Sequence, residues 1–291
     1  MRPKIYLFGD SITEESFGDG GWGSSLAHHF ARTVDVVLRG YSGYNTRWAV
    51  KVAERVFGAA EGGGGGVNNE EPLVVTVFFG ANDACLPNRC SAFQHVPLDE
   101  YKRNLRSIVS FLKKRWPTTR ILLITPPPID EDGRLRHPYI ENPSNEPERT
   151  NEAAGAYAKA CVKLAGECGI PVIDLWTKMQ QFPDWKNACL RLGFEINPET
   201  RQIPPDEKTT SRTKKKEETL DKDDLYLVRI PAILRPSLRD GLHLTRSGNE
   251  IVFEEVVKKL AEEGFSPETL PVDLPLITEI DPRDPLKSFQ Q

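Results

Sequence analysis

KIYLFGDSIT, residues 4–13, is the stretch on which the reading of the chain turns. An apolar run of strand length ends there in Gly-Asp-Ser. Continuous rather than alternating apolarity is what a strand covered on both faces of a sheet requires. Two readings of its end stand side by side: a tight turn that uses Gly, Asp and Ser, or a serine nucleophile held at a strand end.

Runs of the same kind recur at VDVVLRG (34–40), LVVTVFFG (73–80), ILLIT (121–125) and PVIDL (171–175). Longer helical patterns at 22–31, 46–58, 98–116 and 148–168 separate them, and a last one covers 246–263, with Thr245 or Ser247 as its cap. This alternation predicts an α/β fold, a parallel sheet with helices on both faces. In such open sheets ligands bind beyond the carboxyl ends of the strands. The segments GDS, GYSGYNT, GAND and PPPID are therefore the places to look for chemistry.

With 291 residues and a formal net charge of -4, the chain has enough length for a large core and no global basic character that would call for a nucleic-acid partner. The lysine run 214–216 is followed at once by acidic residues and reads as a solvated loop. The five cysteines have no C-x-x-C spacing, which suits a reducing compartment. MRPKIYLFGD is interrupted too quickly for a signal segment, and no apolar run reaches the ~18–20 residues of a spanning helix, so a cytoplasmic protein is expected. A single domain over 1–264 carries a charged insertion at about 191–239, read as mobile. A glycine loop at 62–66 and a Pro-rich tail at 265–291 complete the organisation.

A serine hydroxyl needs a general base and donors for the oxyanion it creates. Among the five histidines, His28 and His29 lie in a helical pattern, while His95 and His137 lie in loops. His243 differs: it stands three residues after Asp240, in RDGLHLTRSGNE, just before the last helix. A carboxylate at that offset can hold Nδ1–H and leave Nε2 free to take a proton; the competing reading is an Asp-Gly turn with an incidental histidine. Gly43 and Asn82 follow the second and third strands and offer a backbone N–H and a side-chain amide beside the N–H of Ser11. Each also has an ordinary reading, as a turn glycine and a helix cap. Asp10 reads either as a residue that orients the turn or as a solvated loop residue, Asp83 and Thr13 as structural supports, and Arg47 and Trp48 as facing the site or, by preference, packing against the sheet.

Taken in chain order, Ser11 in FGDSIT, Gly43 in GYSGYNT, Asn82 in GAND and His243 in DGLH resemble the four motifs of the GDSL esterases and lipases, or SGNH hydrolases. GGWGSSLAHHFAR, FFGANDA, PLDEYKRNL and ITPPPID are similar to the plant and isoamyl acetate-hydrolysing esterase-like members. The resemblance covers roughly 3–190 and 237–263. It implies a flavodoxin-like, doubly wound three-layer α/β/α sheet of order 2-1-3-4-5 and a flexible serine turn. It also implies a triad of Ser11, Asp240 and His243, an oxyanion hole of Ser11, Gly43 and Asn82, and neither metal nor organic cofactor. The activity it implies is hydrolysis of small-molecule or lipid esters through an acyl-enzyme. Two alternatives are acyl transfer to a lipid or carotenoid alcohol under a cover formed by 191–239, and a binding module on a decayed scaffold. Oligomeric state is not legible.

Overall fold

Strands form where the sequence is continuously apolar. In the computed structural model, which describes residues 2–58, 71–137, 141–190 and 240–289, β1 (Lys4–Gly9), β2 (Asp35–Gly40), β3 (Val74–Phe78), β4 (Arg120–Ile124) and β5 (Val172–Ile173) form one sheet. Its order is β2-β1-β3-β4-β5, and each neighbouring pair is parallel. The glycine run 62–66 and the charged stretch 191–239 lie outside the described residues.

A one-turn helix, α1 (Ser11–Glu14), follows β1 directly. Alternate side chains of β3 then feed two cores: Val74 and Phe78 join one, Val75 and Val77 the other. The first core is closed by α2 (Trp22–His29), α7 (Leu175–Gln180), α8 (Trp185–Leu190) and α9 (Arg246–Glu262). The second is closed by α3 (Thr46–Phe57), α4 (Leu98–Arg115) and α6 (Asn151–Cys168). All five residues of β3 are buried, as a strand covered on both faces must be. A short α5 (Glu131–Arg136) packs beyond β4.

The strands end level. Gly9 pairs with both Gly40 and Phe78, and Phe78 pairs with Ile124. From β1 the chain turns to β2 on one side and then crosses to β3 on the other, so a crevice opens beyond the carboxyl end of β1. Ser11 stands there.

Two boundaries move from their sequence expectation for local reasons. α6 begins at Asn151 rather than 148, because Thr150 is its cap, with Oγ1 accepting from the Ala153 N–H at 3.1 Å. β5 stops at Ile173 because Asp174 caps α7, accepting from the Thr177 N–H at 3.1 Å. At α9 the cap is Thr245, whose Oγ1 accepts from the Gly248 N–H at 3.0 Å. Residues 265–289 contribute two short 3-10 turns (Ile277–Glu279 and Pro285–Phe289) and are tied to the start of the chain. Arg2 Nε donates to Asp273 at 2.6 Å, and Arg32 Nη2 donates to the Leu274 carbonyl at 2.7 Å.

Candidate active site

Ser11 is the first residue of α1, and Asp10 is the cap of that helix: its Oδ1 accepts from the Ile12 N–H at 3.0 Å. The serine therefore opens a helical turn. The first N–H groups of a helix have no partner within it, so the Ser11 N–H is available to a ligand oxygen. Helix α1 lies so close to the strand ends that side chains are excluded beneath it. A Cβ on Gly40 would stand 2.1 Å from the Glu14 nitrogen, and one on Gly9 would stand 2.0 Å from Thr13 Oγ1. Trp22, fully buried, fixes the other side, with Nε1 donating to the Ile12 carbonyl at 3.2 Å.

From the turn before α9, His243 Nε2 lies 2.8 Å from Ser11 Oγ. His243 Nδ1 lies 2.6 Å from Asp240 Oδ2. Asp240 Oδ1 also accepts the backbone N–H groups of Leu242 (3.0 Å) and His243 (2.9 Å). Burial alone would raise the Asp240 pKa, but the hydrogen bond and charge of His243, together with Arg134, hold it well below the usual carboxylate range. An ionised Asp240 puts the imidazole proton on Nδ1 and leaves Nε2 as the acceptor of the serine hydroxyl. Burial opposes the charged form of His243 as well; the bond to Asp240 and its charge outweigh it and raise the imidazole above its ordinary value.

The candidate oxyanion donors follow the carboxyl ends of β2 and β3. Gly43 adopts φ +78°, a conformation that favours glycine, in a turn closed by the Tyr44 N–H onto the Tyr41 carbonyl at 3.1 Å. Asn82, only 3% exposed, donates one Nδ2 hydrogen to the Tyr44 carbonyl at 2.9 Å and keeps a second. Its Oδ1 accepts from Arg149 Nη2 at 3.0 Å. Below them, Asp83 takes the Thr46 N–H and hydroxyl, so it supports the start of α3. Burial pushes the carboxyls of both Asp10 and Asp83 up to about 7.

Sequence reasoning brought Ser11, Asp240 and His243 together as the structure does. Arg47 is turned away from the site onto Glu100 of α4, at 2.6 Å, and Trp48 stacks on Phe93. His95 Nδ1 is engaged with the Cys85 carbonyl. Missed were Arg134, Glu148, Arg149 and Gln94, all buried beside these residues. Their only local signal is the charged pair immediately before the Thr150 cap. Among the described residues no group of three or more His, Cys, Asp or Glu side chains is placed to hold a metal ion. None of their helices is long and apolar enough to cross a membrane.

A family model described as GDSL-like Lipase/Acylhydrolase matches residues 5–256. Among curated proteins, the GDSL esterase/lipase At5g45920 of Arabidopsis thaliana is 58% identical, over 100% of this chain and 99% of its own. The isoamyl acetate-hydrolyzing esterase 1 homolog of Rattus norvegicus is 44% identical over 68% of this chain and 76% of its own. A lipase/acylhydrolase from Enterococcus faecalis shares the fold with a TM-score of 0.55 at 21% identity, covering 94% of this chain and all of that one. The acetyl xylan esterase AlAXEase gives 0.54 at 20% identity, over 88% of this chain and 99% of its own.

Proposed function

The chain belongs to the GDSL-like lipase/acylhydrolase family, serine hydrolases of carboxylic esters, and from that premise we propose that Ser11, His243 and Asp240 carry out the hydrolysis while Ser11, Gly43 and Asn82 stabilise the oxyanion. The observation that carries the reading is the unbroken line from Ser11 Oγ to His243 Nε2 (2.8 Å) and from His243 Nδ1 to Asp240 Oδ2 (2.6 Å). Both distances are in hydrogen-bond range for a nucleophile and its base.

In this reading His243 Nε2 takes the Ser11 proton as Oγ bonds to the ester carbonyl carbon. The carbonyl oxygen becomes an oxyanion, received by the N–H of Ser11, the N–H of Gly43 and the remaining Nδ2 hydrogen of Asn82. As the intermediate collapses, His243 gives its proton to the departing alkoxide, which leaves as the alcohol. Water, deprotonated by the same nitrogen, attacks the acyl-enzyme; acid departs and Ser11 regains its proton. Asp240 stays ionised throughout, which stabilises the imidazolium in each half-reaction.

The substrate class we propose is a small, water-accessible ester, in keeping with the ester hydrolases named among its relatives. p-Nitrophenyl esters of increasing acyl length test this: rates should fall beyond short chains, and a maximum at long chains would move the reading to lipid esters. The acyl-transfer alternative rested on a cover formed by 191–239, which lies outside the described residues. A cytoplasmic location is also proposed, supported by five cysteines that stand as free thiols. Intact-mass labelling with a fluorophosphonate tests the site. One adduct on the wild type, absent from Ser11→Ala and strongly reduced in His243→Ala, is the expected result. An adduct that survives Ser11→Ala would place the nucleophile elsewhere.

A further inference from the structure

Asp240 and Asn82 come from segments far apart in the chain, yet one line of buried side chains joins them. Asp240 Oδ2 accepts from Arg134 Nη1 at 3.0 Å, and Arg134 Nε donates to Glu148 Oε1 at 2.8 Å. The same Glu148 oxygen accepts from Arg149 Nη1 at 2.6 Å. Arg149 Nη2 then divides its two hydrogens between Asn82 Oδ1 (3.0 Å) and Gln94 Oε1 (2.8 Å), while its Nε donates to the Ala81 carbonyl at 3.1 Å. Gln94 in turn donates through Nε2 to the Gly43 carbonyl at 3.0 Å. Arg134, Glu148 and Arg149 are 2%, 0% and 3% exposed.

Burying charge is costly even when charges pair, and apolar side chains of the same volume commonly stabilise a fold as well or better. Two arginines opposite two carboxylates balance here, but stability alone does not call for them. Their geometry serves something else. A side-chain amide has two orientations related by a half-turn, which exchange its donor and acceptor ends. If Asn82 turned over, it would aim an acceptor lone pair at a developing oxyanion in place of a donor. Two contacts oppose this: the Tyr44 carbonyl holds the Nδ2 end, and Arg149 holds the oxygen end, its planar fork offering N–H groups to the oxygens of both amides at once.

We propose that Arg149 is the positioning residue of the oxyanion hole: it locks Asn82 with Nδ2 toward the oxyanion and locks Gln94 so that the Gly43 peptide is held, while Glu148 and Arg134 anchor it to the Asp240 turn. This rests on the oxyanion roles proposed above for Gly43 and Asn82. The donors are thus aligned before substrate arrives, and no reorganisation is left for the moment of charge development. Lysine at this position keeps the charge beside Glu148 but has no fork to span two amides.

The test is a double-mutant cycle with p-nitrophenyl acetate, using Arg149→Lys, Asn82→Ala and the double variant, each checked for folding by circular dichroism. Asn82→Ala should lower kcat by roughly a hundredfold, the typical loss for one oxyanion donor. Arg149→Lys should lower kcat about tenfold with KM within about twofold, and by less than about threefold once Asn82 is already alanine. The midpoint of its pH–rate limb should not move, since the pairing of His243 with Asp240 is untouched. Equal factors for Arg149→Lys in both backgrounds, a loss confined to KM, or a displaced pH limb would overturn the positioning role and leave the oxyanion reading intact. An unchanged kcat in Asn82→Ala itself would remove that reading along with this one. Should Arg149→Lys fail to fold, Gln94→Ala carries the test without unpairing a charge: kcat falls severalfold at constant KM, and an unchanged kcat overturns the proposal.

Discussion

The two edges of the sheet are built by different rules. At the carboxyl edge, polar side chains are taken out of water: Asp10, Thr13, Asn45, Asn82, Asp83 and Asp130 are all 3% exposed or less. At the amino edge the charges stay wet. Arg2 reaches Asp273 at 2.6 Å and Asp35 at 3.2 Å, and its side chain is 35% exposed. Exposed ion pairs contribute little to stability, whereas buried polar groups must be satisfied or they destabilise. The contrast teaches where the fold gives up stability, and the carboxyl edge, where Ser11 and His243 meet, is that place.

The largest effect that would sharpen this contrast is on catalysis at the carboxyl edge. Asp240→Asn should lower kcat by on the order of ten-thousandfold, as loss of the acid does in a serine triad. Its pH dependence has a definite sign. His243 acts as a base only when neutral, and Asp240 raises its pKa, so removing the carboxylate lowers that pKa. The remaining activity should therefore rise at lower pH than in the wild type, and a pH–rate profile of both proteins would read the displacement. A limb moved to higher pH would contradict the pairing.

Next in size is Trp22→Ala. Deleting a fully buried tryptophan typically costs about 3–5 kcal/mol, and here it also removes the hydrogen bond that fixes α1. Urea unfolding should give a lower midpoint, and kcat should fall more than KM rises. A stable variant with unchanged kcat would mean that Trp22 does not hold the nucleophile.

A smaller effect follows from Asp10 and Asp83, whose carboxyls burial raises from 3.8 to about 7. Between those values the folded state binds protons that the unfolded state has released, so stability falls as pH rises from about 4 to about 7 and is flat above. Asp240 has the opposite sign, because its lowered pKa gives stability that is lost only as the solution becomes strongly acid. Asp10→Asn keeps an oxygen for the Ile12 N–H and cannot ionise. Its Tm should exceed that of the wild type at pH 8 and approach it at pH 5; equal differences at both values would show that Asp10 does not titrate in this range. The smallest effect belongs to the amino edge. Arg2→Ala should leave Tm and kcat within measurement error, and a clear loss of either would break the contrast between the edges.

Much of this arrangement is legible in the residues because each strand announces itself. β1 to β4 are continuous apolar runs, and their observed ends fall within two residues of the expected ones. The short helices α1, α5, α7 and α8 were not read, since 4 to 6 residues are too few to display a helical period. Ser11, Gly43, Asn82, Asp240 and His243 were legible because each sits in a local motif at a strand or helix end. Glu148 and Arg149 were read as the first turn of α6. In the folded chain they precede its cap and point into the site, where their partners Arg134, Asn82 and Gln94 come from other segments. Pairings of that range leave no spacing in the sequence. Only folding brings them together.

The contact of α1 with bare glycine has a consequence for redesign. Because the main chain of Thr13 and Glu14 rests on Gly40, and the Thr13 side chain on Gly9, the height of the nucleophile is set by backbone and one buried threonine. The exposed side chain of Phe93, stacked on Trp48, takes no part in that contact and can change without lifting Ser11 from its seat. The molecule is thus divided into a fixed anvil and replaceable jaws, and a library aimed at new esters belongs in the jaws.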